Sequence, residues 1–389
     1  MQALAEIVDG GLVDGDEHRL LRESARSFAA RSLRPHRLRI HRDAGSEFER
    51  RIWREMAELG WTGIAIPADL GGCGLGLAEA TIVLEELGER LLPEPLVAAA
   101  LLPGHILSHA RETQIRDKLI LGIVSGSIVL ALAWQSGPDP FRLGEPVARI
   151  EPADGQIRLR GRVSHVIPAG ADGYIVAAQG AAGQGLYWVE AVTPGITAVM
   201  RSRADGGRVA NLSLDVLIPA ACELIAPGEA EQALAAALDF ATIATSAELL
   251  GLIRGALRMT IEYLKTRKQF DRTIGSFQAL QHRAADIFLE QELCAAALAD
   301  VLREVTADQD ARRRARAASR IKARTSEAAL RVTREAIQLH GGIGFTQEHD
   351  IGLYLKRALV LSSWLGNGAQ HVRRFSDLST APSSDLVRS

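Results

Sequence analysis

The sequence predicts a multidomain α+β protein with a helical N-terminal domain, a small central β-barrel or sandwich, and a C-terminal antiparallel four-helix bundle. Three observations support this: helical apolar spacing from about Asp16 to Ala110, short β-rich runs from about Ile120, and long helical segments from about Glu229. The predicted domains are 1–119, 120–227 and 228–389. A chain of 389 residues is long enough for two or three domains with sizeable cores.

The N-terminal region shows helix periodicity broken by one loop. Apolar residues recur at helical spacing in Ile52, Met56 and Leu59, and a Gly- and Pro-rich stretch at 67–76 predicts a loop. A second helix is expected from Leu77 to about Gly88. The glycines at 71–76 lack the preceding strand and the following Lys-Ser or Lys-Thr of a phosphate-binding loop, so we interpret them as a helix connection.

The central region predicts β-hairpins, because Gly, Pro and Asp clusters separate short runs rich in β-forming residues. The predicted strands are 127–133, 147–150, 156–160, 174–177, 185–189 and 196–200.

The C-terminal region predicts long helices. Helical periodicity extends over 229–266, 276–308 and 310–340, which are lengths typical of an antiparallel bundle.

Composition excludes several classes of function. The net charge of -2 gives no basic face for nucleic acid, and the basic run at 312–316 follows Asp308 and Asp310, as on a solvated helix face. Three scattered cysteines have neither disulfide nor zinc-site spacing, so no metal is expected. Without an expected secretory signal or membrane span, we predict a cytoplasmic protein.

Two blocks in the C-terminal region carry residues suited to a dinucleotide. In 263–286, Arg267 offers a planar fork of donors for phosphate, and Gln269 and Gln278 can bind phosphate, ribose or adenine edges. Phe270 and Phe277 supply apolar faces. In 335–346, two glycines follow a long helix, where a ligand can approach the backbone closely.

These blocks resemble the C-terminal signature of the acyl-CoA dehydrogenase family, YxxxRxQFGxxIxxFQxxQxxxAD, followed by QLHGG. The resemblance implies FAD, α,β-dehydrogenation of an acyl-CoA thioester in fatty acid metabolism, and an electron-transfer flavoprotein as electron acceptor. It also implies contacts with the adenosine and pyrophosphate of a flavin held mainly by a neighbouring subunit, and hence a homo- or hetero-oligomer. The residues implied in these contacts are Arg267, Gln269, Phe270, Phe277, Gln278, Gln338, Leu339, Gly341 and Gly342.

The positions that resemble the family's catalytic-base sites hold no acid. Most members place a Glu where this chain has Gly366, or Leu365 in the alternative register; others place it on an earlier helix, at Ala241. Thr242 replaces an Arg that usually helps to bind substrate. Glu248, two helical turns beyond Ala241, could act as a displaced base, and a structural hydrogen-bonding role is the alternative.

The segments that resemble the flavin-ring contacts also differ from the family. The loop usually read Thr-Glu-Pro corresponds to 133–138, which includes Trp134, and His165 lies where Trp-Ile-Thr is usual. His165 could stack on the flavin or act as an acid or base, or it could be a surface or packing residue.

Three functions therefore remain open from the sequence. The chain could be a flavoprotein dehydrogenase that is active alone with a displaced base. It could instead be a non-catalytic partner subunit that completes the FAD site of a paralogous chain, or a helical scaffold without cofactor. Long-chain, branched, aromatic and sterol-derived acyl groups all remain possible.

Overall fold

The secondary structure of the chain is helical, then β, then helical. The computed structural model describes residues 15–32, 36–137, 139–141, 143, 147–153, 155–308 and 310–380. The predicted N-terminal helical region, central β region and C-terminal helical region are all confirmed.

The N-terminal region contains six described α-helices around an apolar core. These are α1 (Asp16–Ser32), α2 (Arg37–Ala44), α3 (Arg50–Glu58), α4 (Leu77–Glu89), α5 (Leu102–Ser108) and α6 (Gln114–Val124). A short π-helical segment, Val97–Leu101, leads directly into α5. Helix α4 begins where the Glu79 carboxylate accepts the Gly76 N–H at 2.7 Å.

The expected boundary at 119/120 falls inside helix α6. The Thr113 hydroxyl oxygen caps this helix by accepting the Arg116 N–H, and the helix continues to Val124. Ile120 and Ile123 extend the buried face, so helical periodicity persists past the expected boundary. The first strand begins only at Leu130.

The central region forms one eight-stranded sheet. Its strands are β1 (Leu130–Ala133), β2 (Ala148–Ala153), β3 (Gln156–Val166), β4 (Gly173–Gly180), β5 (Gly183–Glu190), β6 (Ile196–Ser202), β7 (Arg208–Pro219) and β8 (Glu223–Ile225). The order is β6-β7-β3-β2-β4-β5-β8, and β1 pairs in parallel with β4. Each of the six predicted runs overlaps one strand.

Strands β7 and β8 were not predicted. Strand β7 has a clear signal, because Ala210, Leu212, Leu214 and Val216 alternate with more exposed residues along it. It pairs antiparallel with both β3 and β6, and thereby joins β6 to the rest of the sheet.

The C-terminal region contains five described α-helices. These are α7 (Ala230–Thr266), α8 (Gln278–Ala307), α9 (Ala311–His340), α10 (Ile351–Ser363) and α11 (Gly368–Thr380). Helix α9 packs against all four others. The first three match the predicted segments, whereas α10 and α11 were not predicted.

Helix α7 is the core helix that joins the two helical regions. By length and composition it could cross a membrane, but 89% of its most apolar stretch is buried inside the protein, as in the core helix of a soluble protein. The backbones of α7 and α4 cross in close contact. A Cβ added at Gly88 would lie only 2.4 Å from the Glu248 carbonyl oxygen. A Cβ at Gly251 would lie 2.0 Å from the Glu85 carbonyl oxygen. Glycine is therefore required on both sides of this crossing.

Candidate functional site

The predicted FAD-binding residues of the first block lie on and around a β-hairpin between α7 and α8: Arg267, Gln269 and Phe270 at the hairpin, and Phe277 and Gln278 at the start of α8. The hairpin strands are β9 (Lys268–Gln269) and β10 (Arg272–Thr273), and Phe270 and Asp271 form the two-residue turn. Their φ angles of 54° and 60° are those of a type I′ turn, which usually takes Asn, Asp or Gly. A Phe held at positive φ is strained, and such strain is commonest at functional sites.

The side chains of this hairpin point outward. Arg267, Gln269 and Gln278 are exposed, and Phe270 is 84% exposed. Phe277 is half-buried and supports Phe270 edge-to-face, with ring centroids 6.1 Å apart. The hairpin and the start of α8 therefore present a guanidinium, two amides and an aromatic face to the outside of the chain.

The second block is brought to this hairpin by stacking of two aromatic rings. Tyr263, one turn before Arg267, stacks on His340 with ring centroids 4.5 Å apart. His340 is buried and its Nδ1 lies 2.7 Å from the Ala336 carbonyl oxygen. Burial lowers the pKa of His340, which favours the neutral form of the stacked ring.

The end of α9 is open to a ligand at its glycines. Gly341 has a φ of 65°, and a Cβ added there or at Gly342 would meet nothing within 4 Å. Gln338 is exposed one turn earlier, whereas Leu339 is buried in the core, so that only its backbone could face a ligand. Taken together, the exposed donors and the open glycine backbone fit a dinucleotide held mainly by another chain.

The two positions predicted for the catalytic base cannot take up a proton. Ala241 is fully buried within α7, and its carbonyl accepts the Thr245 hydroxyl at 2.8 Å. Gly366 has a φ of 95°, and a Cβ there would lie 2.9 Å from Phe141 Cε2 and 3.0 Å from His371 Nε2. Leu365, in the alternative register, is 3% exposed and also has a positive φ, 59°.

A buried lysine holds the loop that contains Gly366. Lys322 Nζ donates to the carbonyl oxygens of Leu361, Trp364 and Gly366 at 2.8, 2.7 and 3.1 Å. Burial lowers the pKa of Lys322 to about 7, while three carbonyl acceptors favour the ammonium form. Its position on the apolar face of α9, next to Ile321, is visible in the sequence, but its three partners are not.

A buried carboxylate on α7, Asp239, pairs with two arginines. Arg374 Nη1 is 2.7 Å from Asp239 Oδ1, and Arg314 Nε is 3.8 Å from Asp239 Oδ2. Arg374 and Asp239 Oδ1 are close enough to form an ion pair, but their angles do not fit a hydrogen bond. The contact is therefore mainly an attraction between charges. Burial raises the pKa of Asp239, and the two guanidiniums oppose that shift.

Glu248 belongs to a different cluster, a buried triad with Arg357 and Asp205. Arg357 donates to Glu248 Oε1 at 2.6 and 3.1 Å and to Asp205 Oδ2 at 2.8 Å. Burial lowers the pKa of Arg357, but the two carboxylates outweigh burial and raise it overall. A carboxylate neutralised in this way favours the structural role for Glu248 over the role of a base.

On the predicted flavin-ring side, Trp134 is buried and donates Nε1–H to the Pro140 carbonyl at 3.3 Å. Pro138, in the same predicted loop, lies outside the described residues. His165 is exposed at an irregularity of β3, with a φ of 59°, and its N–H donates to Asn211 Oδ1 at 3.1 Å. Its exposed ring touches no catalytic candidate in the described part of the chain.

Sequence reasoning missed Phe141, His371 and Lys322. These three residues come from a β-region loop and from two helices, and their spacing along the chain carries no motif. Only folding brings them around Gly366.

Comparison with known proteins identifies the family. The family models "Acyl-CoA dehydrogenase, N-terminal domain" and "Acyl-CoA dehydrogenase, C-terminal domain" match residues 15–127 and 231–376. The acyl-CoA dehydrogenase IpdE2 of Mycobacterium tuberculosis is 31% identical over 92% of this chain and 96% of its own length. The chain therefore belongs to the acyl-CoA dehydrogenase family, FAD-dependent oxidoreductases that dehydrogenate acyl-CoA thioesters.

Two solved structures extend the likeness. A variant of the steroid acyl-CoA dehydrogenase Tcur3481-Tcur3483 is similar with a TM-score of 0.82 and 31% identity over 94% of this chain and 98% of that one. The ChsE4-ChsE5 complex of Mycobacterium tuberculosis is similar with a TM-score of 0.85 and 25% identity over 96% of this chain and 100% of that one.

Proposed function

We propose that this chain is the non-catalytic subunit of a hetero-oligomeric acyl-CoA dehydrogenase, in which a paralogous chain supplies the catalytic carboxylate. The observation that carries the proposal is that none of the three candidate positions offers a usable base: Ala241 and Gly366 are not acids, and Glu248 is neutralised by Arg357. Two similar structures are named for pairs of chains, which supports a paired assembly.

Within that assembly, this chain completes the neighbour's cofactor site. FAD, when bound, supplies the acceptor for the substrate hydride. Arg267 binds a phosphate of the dinucleotide, Gln278 and Gln338 bind its polar edges, and Gly341 and Gly342 leave room for it. Phe270 covers an apolar face of the site and excludes water.

The second candidate is a chain that is active alone, with Glu248 as a displaced base. One observation favours this second candidate: Glu248 lies on α7, the same helix as Ala241, one of the positions predicted for the base. The ion pair with Arg357 would have to open before Glu248 could accept a proton.

The test is reduction of an artificial electron-accepting dye by acyl-CoA thioesters, with the purified chain alone and with a co-expressed paralogue that has an intact Glu. The steroid enzyme among the similar structures makes a steroid side-chain thioester the first substrate to try, beside long-chain, branched and aromatic ones. An electron-transfer flavoprotein would then replace the dye as acceptor. We expect turnover only with the paralogue, and a loss of about 10²–10⁴-fold without it.

Two outcomes would contradict this assignment. Robust turnover by the chain alone that persists in Glu248→Gln would remove both the base and the partner hypotheses. Turnover by the chain alone that Glu248→Gln abolishes, with the fold intact, would make Glu248 the base.

The same proposal includes the domain organisation and the location. We infer three domains close to 1–119, 120–227 and 228–389, with the first boundary moved beyond Val124, where helix α6 ends. Closure of the sheet into a barrel and a four-helix bundle within the C-terminal region remain parts of the proposal, as does a cytoplasmic location.

A further inference from the structure

We propose that the Phe141 ring acts as a plug: it occupies the space where the acyl group would bind in this chain, and His371 and Arg374 hold it there. The chain therefore binds no acyl thioester at that site. The inference deepens the proposed function and rests on it in one respect, since it takes Gly366 to mark the acyl site. It adds that the site is filled, whereas the proposed function requires only that the site lack a base.

The first argument is steric. A Cβ at position 366 would lie 2.9 Å from Phe141 Cε2, closer than real Cβ atoms approach, and 3.0 Å from His371 Nε2, which is tighter than most real Cβ contacts. The space that a side chain at 366 would enter is thus already taken by two rings. A carboxylate side chain placed at 366 would therefore require Phe141 to move.

The second argument is that the ring of Phe141 is held from two directions. His371 packs edge-on to it, with centroids 5.1 Å apart and planes at 77°. The Arg374 guanidinium lies 4.2 Å from the Phe141 centroid, within cation–π range. Arg374 is itself anchored at 2.7 Å to Asp239, a carboxylate that is 1% exposed.

The third argument concerns His371, which is tied to the same loop. Its Nε2 lies 2.9 Å from the Leu365 carbonyl oxygen, and the residue is 0% exposed. Burial, together with the Lys322 charge, lowers the pKa of His371 to about 3, so the ring is neutral and donates through Nε2. The loop, His371 and Phe141 therefore form one packed unit rather than an open pocket.

The experiment measures thioester binding rather than turnover. The full-length chain, expressed without a paralogue, is titrated with octanoyl-CoA by calorimetry and equilibrium dialysis. We expect the wild-type chain to bind fewer than about 0.1 octanoyl-CoA per chain and Phe141→Ala to approach about one, because truncation opens a cavity for the acyl group. Phe141→Leu, a milder change, should show an intermediate gain.

The matched control is Phe375→Ala. Phe375 is also half-buried and carries a guanidinium over its ring, that of Arg316 at 5.2 Å, but it is not among the atoms nearest to a Cβ at Gly366. The control should gain no binding. If Phe141→Ala fails to fold, judged by circular dichroism and thermal unfolding, Phe141→Leu decides.

Two results would overturn the plug: wild-type binding of one octanoyl-CoA per chain, or folded Phe141 variants that gain no more binding than the control. Dye reduction on the same samples judges the partner assignment separately. Gained binding without turnover supports the plug and leaves the partner assignment intact. Activity only with a paralogue, combined with full binding by the wild-type chain alone, would refute the plug and keep the partner assignment.

Discussion

His371 shows how one buried side chain links acidity to the candidate site. Its folded pKa of about 3 lies below the ordinary value of 6.5, so the unfolded chain binds the proton more readily. The charged neighbours are Lys322 and Arg374, and both disfavour a second positive charge. The stability that neutral His371 confers is therefore complete above about pH 6.5 and is lost as the pH falls towards 3.

We expect His371→Gln to flatten the pH dependence of stability. Between about pH 7 and pH 5 the wild-type protein should lose about 2 kcal/mol from this residue alone, and the variant should not. Urea unfolding at a series of pH values measures the difference. His282→Gln, at an exposed histidine of α8, is the control; an equal flattening there would refute the assignment to His371.

Arg267 is the residue on which flavin retention is expected to depend most. Its exposed guanidinium lies at the start of the hairpin, and its carbonyl accepts the Ile274 N–H at 2.9 Å, which fixes the backbone there. Arg267→Ala should weaken flavin retention by about 2 kcal/mol, or about thirtyfold, through loss of a charge-assisted phosphate contact. Flavin absorbance after dialysis measures this. Lys265→Ala, nearby and exposed, should retain flavin; equal retention in both variants would count against Arg267.

At the scale of secondary-structure elements, the triad of Glu248, Arg357 and Asp205 joins α7, α10 and the turn between β6 and β7. Removing the cation should leave the buried Glu248 carboxylate without its guanidinium, and leave Asp205 with only the longer contact to Arg203 at 3.3 Å and the Gly207 N–H. We expect Arg357→Met to cost about 3–5 kcal/mol in the free energy of unfolding.

The control for the triad is Arg258→Met. Arg258 pairs with Glu89 at 2.7 Å but is about half exposed, so the change should cost no more than about 1 kcal/mol. Denaturant unfolding compares the two variants. Similar costs would mean that the triad does not hold the β region against the helices.

The close crossing of α4 and α7 leads to a second prediction at this scale. A Cβ at Gly251 would overlap the Glu85 carbonyl, so Gly251→Ala must push the helices apart. We expect a loss of about 1–3 kcal/mol from overpacking, although alanine favours an isolated helix. Thermal unfolding measures it, and a variant as stable as wild type would show that the crossing can relax.

At the scale of the whole molecule, the exposed apolar residues of the C-terminal region predict an assembly. Phe270 and Phe345 are 84% and 74% exposed, beside the residues predicted to reach a neighbour's cofactor. We expect at least a dimer through this surface, and Phe270→Asp should dissociate it. Val192→Asp, at an equally exposed residue beyond β5, should not. Sedimentation velocity distinguishes these outcomes, and a stable flavin-bound monomer would contradict the interface.

The sequence by itself determined the family and the order of the three regions, which is helical, then β, then helical. It also determined which surface residues are predicted to bind FAD. These features are local: helix periodicity over α7 to α9, and two short blocks whose register predicts the roles of Arg267 and Gln338. It also determined that Ala241 and Gly366 cannot act as bases, because residue type alone decides that. Strand β7 could also have been predicted, because apolar and polar residues alternate along it.

Only the tertiary structure decided what surrounds those positions. Glu248 was open as a base in the sequence because its partner Arg357 lies 109 residues away along the chain. Phe141, His371 and Lys322 converge on Gly366 from three separate elements, and no local pattern records such convergence. Burial and charge pairing depend on contacts between distant segments, so the filled acyl site becomes visible only when the chain is folded.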